Sequence, residues 1–181
     1  MAWGPNYLLI ICVFMVRIAL ISDTHGILEE AALAAMQDVD EIWHAGDIGN
    51  PGVLDMLPIH AKKRIVFGNI DDNELRSTFA EELLFEVEGI KVLMVHIGGA
   101  PPRYAKGIKM KIKSLKPGLF ICGHSHICRV EYDEGLNCLY MNPGAIGNHG
   151  FHQVKTMLKF QIENGKLQDL KVLEFGKRGK L

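Results

Sequence analysis

The 181-residue sequence has no excess charge of either sign: 20 Lys+Arg stand against 21 Asp+Glu, a formal net charge of -1. That balance removes the footprint of a protein that tracks a nucleic-acid backbone or lies on an anionic membrane, so no nucleic-acid polymer is expected as a partner. A C-x-x-C pair is missing as well. The four cysteines, Cys12, Cys122, Cys128 and Cys138, are spaced for neither a disulfide scaffold nor a four-thiolate zinc site, and they read as reduced thiols of a cytoplasmic protein. Also absent are a G-x-S-x-G elbow, a Walker A lysine motif, a G-x-G-x-x-G fingerprint and a contiguous H-x-H-x-D-H run, which excludes the commonest serine-nucleophile and nucleotide-loop chemistries. Linkers, repeats and low-complexity segments are lacking too, and this length favours one domain.

One long apolar stretch is present, at the start. Met1 to Val16 carries no charge before Arg17, yet Tyr7 to Val16 is half of the roughly 20 apolar residues a spanning helix needs. A secretory signal wants a basic leader, and Met1 to Asn6 has neither Lys nor Arg. Residues 1–14 are therefore expected to be an apolar extension from an upstream start or a short appended tail, the alternative being a peripheral anchor or an uncleaved signal. Residues 15–181 are expected to form a single domain with no stable membrane span.

From Met15 onward one unit recurs: a short apolar run that stops abruptly in polar residues and glycine. Arg17–Ser22 ends in Asp23-Thr24-His25-Gly26, Glu41–Ala45 in Gly46-Asp47, and Arg64–Phe67 in Gly68-Asn69. Lys91–Val95 ends in His96, Leu119–Cys122 in Gly123-His124-Ser125-His126, and Cys138–Met141 in Asn142-Pro143-Gly144. Open α/β sheets gather their ligands at such strand ends. Helices are predicted over 27–37 and 104–115. Hairpins are predicted for Leu83–Val87 with Lys91–Val95 and for Val154–Ile162 with Lys166–Phe175, the second around Asn164-Gly165. The fold class is α/β, with sheets sandwiched and flanked by helices.

Asp23-x-His25 and His124-x-His126 each put two ligand-type side chains on one side of an extended segment. Either pair alone is weak evidence of a metal. Asp23, His25, Asp47, Asn69, His96, His124 and His126 all stand at the ends of apolar runs, however, and seven ligands are too many for one tetrahedral ion. Imidazole, carboxylate and amide oxygen together suit Mn, Fe, Ni, Co or Zn. Two such ions about 3.5–4 Å apart clamp a phosphoryl group and activate a water. Asp47 is the natural bridge.

These ordered blocks resemble the signature of the calcineurin-like metallophosphoesterases, and are similar in particular to their small YfcE-like phosphodiesterase group. The resemblance implies a four-layer αββα sandwich. It implies Asp23, His25 and His126 on one divalent ion and Asn69, His96 and His124 on the other, with Asp47 bridging and Asp47 and His96 at the catalytic centre. The ions implied are Mn²⁺ first, with Ni²⁺, Fe²⁺, Co²⁺ or Zn²⁺ as substitutes. The activity implied is hydrolysis of small phosphodiesters by a metal-bridged hydroxide. The alternative is a metal-binding interaction scaffold of the retromer-subunit type; an oligomer is left open.

Asn142-Pro143-Gly144, with Ala145 where the family has serine, is expected to shape the edge of the site. Two departures stand out. Many relatives carry a histidine directly after the asparagine ligand, where this chain has Ile70, and the family usually has glycine directly after the His96 position, where it has Ile97. Without that histidine, good leaving groups are favoured, or a proton comes from elsewhere, with His44 and His149 as candidates.

Overall fold

The computed structural model describes residues 15–178, so the extension expected at 1–14 lies outside the described residues. Side-chain alternation in the short strands decides how the layers stack. In β1 (Val16–Ile21), Ile18 and Leu20 point to one face and Ala19 and Ile21 to the other, and all four are fully buried. A strand buried on both faces must lie inside a sheet covered on both sides.

That sheet has the order β12-β11-β1-β2-β3, built from β1, β2 (Glu41–Ala45), β3 (Lys62–Val66), β11 (Val154–Glu163) and β12 (Lys166–Lys177). β1, β2 and β3 run parallel, and β11 and β12 form the expected antiparallel hairpin. The second sheet comprises β4 (Glu82–Val87), β5 (Ile90–Val95), β8 (Leu119–Ile121), β10 (Cys138–Pro143) and β9 (Cys128–Asp133), in that spatial order. Here β5, β8 and β10 are the parallel strands. A short ribbon of β6 (Gly99–Ala100) and β7 (Arg103–Tyr104) stands apart.

Between the sheets lies a core of Ile18, Leu20 and Trp43 against Val92, Met94, Ile121 and Met141. The outer face of the first sheet, through Ala19, Ile21 and Ile42, is covered by α1 (Glu30–Ala35), α2 (Gly52–Met56) and α3 (Asn73–Thr78), which contribute Ala32, Val53 and Leu75. The outer face of the second, through Leu93 and Phe120, is covered by Ile108 and Ile112 of α4 (Ile108–Leu115). The architecture is the αββα sandwich. Among the described residues, no helix is long and apolar enough to cross a membrane.

Both predicted helices are shorter than their composition suggested. α1 starts only at Glu30 because Gly26 and Ile27 are tied into a turn, Gly26 N–H donating to the Ile48 carbonyl at 2.7 Å and Ile27 N–H to that of Thr24 at 3.0 Å. α4 starts at Ile108 because Arg103 and Tyr104 pair with Gly99 and Ala100 as strand.

Candidate metal centre

The polar residues that follow the parallel strands of both sheets meet at one rim. Hydrogen bonds lace their loops together: Asp23 N–H donates to the Gly46 carbonyl at 3.0 Å, His25 N–H to that of Asp47 at 3.1 Å, and Gly123 N–H to that of His96 at 3.0 Å. Five of the seven candidate ligands take left-handed backbone conformations: Asp23 (φ 56°), His25 (48°), Asp47 (56°), His124 (67°) and His126 (58°). Each costs on the order of 1–3 kcal/mol in a non-glycine residue, and such clustering is typical of functional sites.

Two groups of ligand atoms result, each with its atoms within 4.8 Å of one another: Asp23, His25 and His126, and Asp47, His96 and His124. The Asp47 carboxylate faces both. Its Oδ1 lies 3.1 Å from His96 Nε2 and its Oδ2 3.8 Å from His25 Nε2. Asn69 joins the second group, its Oδ1 3.1 Å from that same His96 nitrogen. All seven residues singled out in the sequence are thus brought together.

The electrostatics are those of opposed charges taken out of water. Burial resists charging of His96, but the hydrogen bond and charge of Asp47 outweigh it and raise the imidazole pKa. Burial likewise resists ionisation of Asp47, but the bond and charge of His96, the Ile70 N–H and the charge of His25 together outweigh it and lower the carboxyl. For His25, burial wins over Asp47 and Asp23 and lowers the pKa. Asp23 is completely buried, and its Oδ1 accepts no hydrogen bond. His126 Nε2 stands 3.2 Å from that oxygen, within ion-pair distance but outside hydrogen-bonding geometry. A buried carboxylate oxygen without a hydrogen bond beside converging imidazoles fits a cation better than it fits an empty core. Hard and borderline donors with no thiolate suit divalent ions of the Mn-to-Zn series.

The remaining geometry positions these groups. His96 Nδ1 donates to the Ala45 carbonyl at 2.7 Å, which turns Nε2 toward Asp47 and Asn69. Gly68 must be glycine because a Cβ there would sit 2.0 Å from Asp47 Oδ1. Asn142 Nδ2 donates to the Gly123 carbonyl at 2.8 Å and to Ser125 Oγ at 3.1 Å, holding the His124–His126 loop as its edge position suggested.

Sequence reasoning missed two supporting side chains. Buried Asp71 accepts from Gly49 N–H and Gly68 N–H, both at 2.7 Å, and Arg76 donates to the Gly68 and Asn69 carbonyls, both at 2.9 Å, so together they clamp the Asn69 turn. A lone acid two residues past Asn69 and an arginine on α3 give no motif. The two candidate proton donors separate. His44 is wholly buried, accepts from Gly46 N–H on Nδ1 and bonds Thr24 Oγ1 through Nε2, so both ring nitrogens are engaged inside the fold, and burial pushes its pKa down to about 4. His149 is exposed at the mouth, its ring centroid 5.0 Å from that of His25.

A cleft of about 260 Å³ opens over His25, Asp47, Asn69 and His124, walled by Ile70 and Phe151. A second, of about 360 Å³, continues past Asn69 and His96 toward Lys106 and Lys111.

The model of the calcineurin-like phosphoesterase superfamily domain matches residues 16–165. A protein of Methanothermobacter thermautotrophicus, named a probable metallophosphoesterase, is 31% identical over 133 residues, which cover 71% of this chain and 76% of that one. A solved structure described as a novel archaeal phosphodiesterase superposes with a TM-score of 0.67 at 19% identity, covering 88% of this chain and 99% of its own. Vps29 of Entamoeba histolytica complexed with Zn²⁺ superposes with a TM-score of 0.68 at 14% identity, covering 87% and 98%. At these identities the two structures speak for the fold.

Proposed function

The chain belongs to the calcineurin-like phosphoesterase superfamily, and from that membership we propose that it hydrolyses small phosphodiesters with two divalent cations, Mn²⁺ foremost, held by Asp23, His25, Asp47, Asn69, His96, His124 and His126. The observation that carries this reading is the orientation of Asp47, whose two oxygens face different groups of imidazoles. A carboxylate placed so can be shared by two ions. When bound, two such ions polarise the phosphoryl oxygens and lower the pKa of a water that attacks phosphorus.

What the chain's own residues do follows from their positions. Asp23 and His126 face each other inside the fold, with the carboxylate fixed by the His124 backbone N–H at 3.2 Å. His96, oriented by the Ala45 carbonyl, presents Nε2 to the point shared by Asp47 and Asn69. Asn69 is held from behind by Asp71 and Arg76, so its amide oxygen needs little reordering to bind. Ile70 brings no proton to the leaving oxygen, which favours esters of acidic alcohols. The reading is of a cytoplasmic enzyme, in keeping with free, buried Cys122 and Cys138.

A second reading, an interaction scaffold that holds metal without turning over substrate, is favoured by the likeness to Vps29 at the level of the fold. Hydrolysis of bis-p-nitrophenyl phosphate by the purified protein with Mn²⁺, compared with Asp47→Asn, separates the two. Turnover lost in the variant supports the enzyme. Metal uptake without turnover supports the scaffold.

A further inference from the structure

Twelve large apolar side chains are exposed among the described residues, and five sit within two positions of a histidine or asparagine of the site: Ile27, Ile70, Ile97, Ile127 and Phe151. Single exposed hydrophobics are ordinary. Five that follow His25, Asn69, His96, His126 and His149 on loops converging on one rim are not scattered. Ile27, Ile70 and Ile97 each leave nearly half their surface open, Ile127 leaves 65% and Phe151 all of it.

Backbone contacts place two of them beside the site. Ile70 donates its backbone N–H to Asp47 Oδ1 at 3.1 Å, so its backbone is tied to that carboxylate. Phe151 follows Gly150, where a Cβ would lie 2.0 Å from His126 Nδ1, so the backbone presses against that imidazole and leaves the next residue at the mouth. Ile70 and Phe151 line one cleft with Asp47, Asn69 and His124, and Ile97 lines the next with Asn69 and His96. The apolar walls therefore reach down to the ligand atoms.

We propose that the ester this site takes carries an apolar arm, packed against Ile70, Phe151 and Ile97 while its phosphate sits among the seven polar side chains. The proposal rests on the hydrolase reading above. An acyl or alkyl chain and a planar aromatic group share this chemistry.

The test is a series of alkyl p-nitrophenyl phosphates from methyl to pentyl, with the phenyl ester as the aromatic arm, assayed on the Mn²⁺-loaded protein. In each, water adds to phosphorus, the P–O bond to the aryl group breaks, p-nitrophenolate leaves and the alkyl phosphate keeps the arm. Full burial contributes about 0.8 kcal/mol per methylene, so kcat/KM is expected to rise about two- to fourfold with each carbon. A phenyl ester far above the pentyl ester assigns the arm to an aromatic group; the reverse assigns it to an alkyl chain. Phe151→Ser and Ile70→Ser are expected to flatten the pentyl-to-methyl ratio, while Ile59→Ser, at an exposed position away from the site, leaves it unchanged. Turnover that is flat along the series and no higher for the phenyl ester overturns the apolar arm and leaves the hydrolase reading standing. A slope that survives both serine variants overturns its assignment to these residues. No Mn²⁺-dependent turnover of any ester overturns the hydrolase reading, and this proposal with it.

Discussion

Asp47 Oδ1 lies 3.1 Å from His96 Nε2, and His96 Nδ1 lies 2.7 Å from the carbonyl of Ala45, two residues before Asp47. The second sheet thus grips the first at both ends of a short turn, and the Asp47 carboxylate is set by backbone as much as by its own rotamer. Gly68 closes against that carboxylate from the third strand.

Gly68→Ala is accordingly expected to push Asp47 off its position, since the added carbon would lie 2.0 Å from Oδ1 and 2.2 Å from the Asp47 backbone nitrogen. Overpacking of this kind costs about 1–3 kcal/mol in stability. The larger effect is on the site, with Mn²⁺ affinity falling at least tenfold by titration calorimetry. Unchanged affinity would show that Asp47 has room to move.

The orphaned oxygen of Asp23 predicts a metal-dependent gain in stability. Adding Mn²⁺ to EDTA-treated protein is expected to raise the melting temperature, by about 2.7 kcal/mol of stabilisation at a hundredfold excess over Kd. Asp23→Asn removes a buried charge, so the metal-free variant should melt no lower than the wild type, and the gain on adding Mn²⁺ should shrink. A full gain in the variant would place the stabilising ion elsewhere.

Acid sensitivity has a specific source in His44. Its folded pKa of about 4 lies below the ordinary value of 6.5, so the unfolded chain binds the proton first. The stability contributed by neutral His44 is complete above pH 6.5 and is lost as pH falls toward 4. Between pH 7 and pH 5, metal-free wild type should lose about 2 kcal/mol more than His44→Gln in urea unfolding. Equal losses would mean that His44 is not held neutral.

Ile70→His supplies an imidazole beside Asn69. On the hydrolase reading, alkyl diesters with poor leaving groups should then react about 10²-fold faster, with little change for p-nitrophenyl esters, whose leaving group needs no proton. A pH–rate profile with a new acid limb would accompany the gain. No change on the poor leaving groups would place the proton donor elsewhere, with His149 at the mouth the next residue to replace.

Much of the site was legible because each candidate ligand ends an apolar run, and runs such as Arg17–Ser22 and Glu41–Ala45 read as strands. The supporting shell was not. α2 and α3 have five and six residues, too short to show a helical period; only Asp72, which caps α3 by accepting from Leu75 N–H at 3.0 Å, left a local signal. β9 was hidden because its buried and exposed faces differ little at the sheet edge, although Cys128–Asp133 pairs along its length with β10. The shortened starts of α1 and α4 reflect tertiary hydrogen bonds to Ile48 and to the β6–β7 ribbon, which no local propensity encodes.

The most direct measurement is the ion content of the protein equilibrated with Mn²⁺ and freed of excess, with hydrolysis of bis-p-nitrophenyl phosphate followed on the same sample. Two ions per chain, turnover abolished by EDTA and restored by Mn²⁺, and both quantities reduced in Asp47→Asn are the predicted result. Turnover indifferent to EDTA, or two tightly held ions in Asp47→Asn with activity intact, would contradict the account.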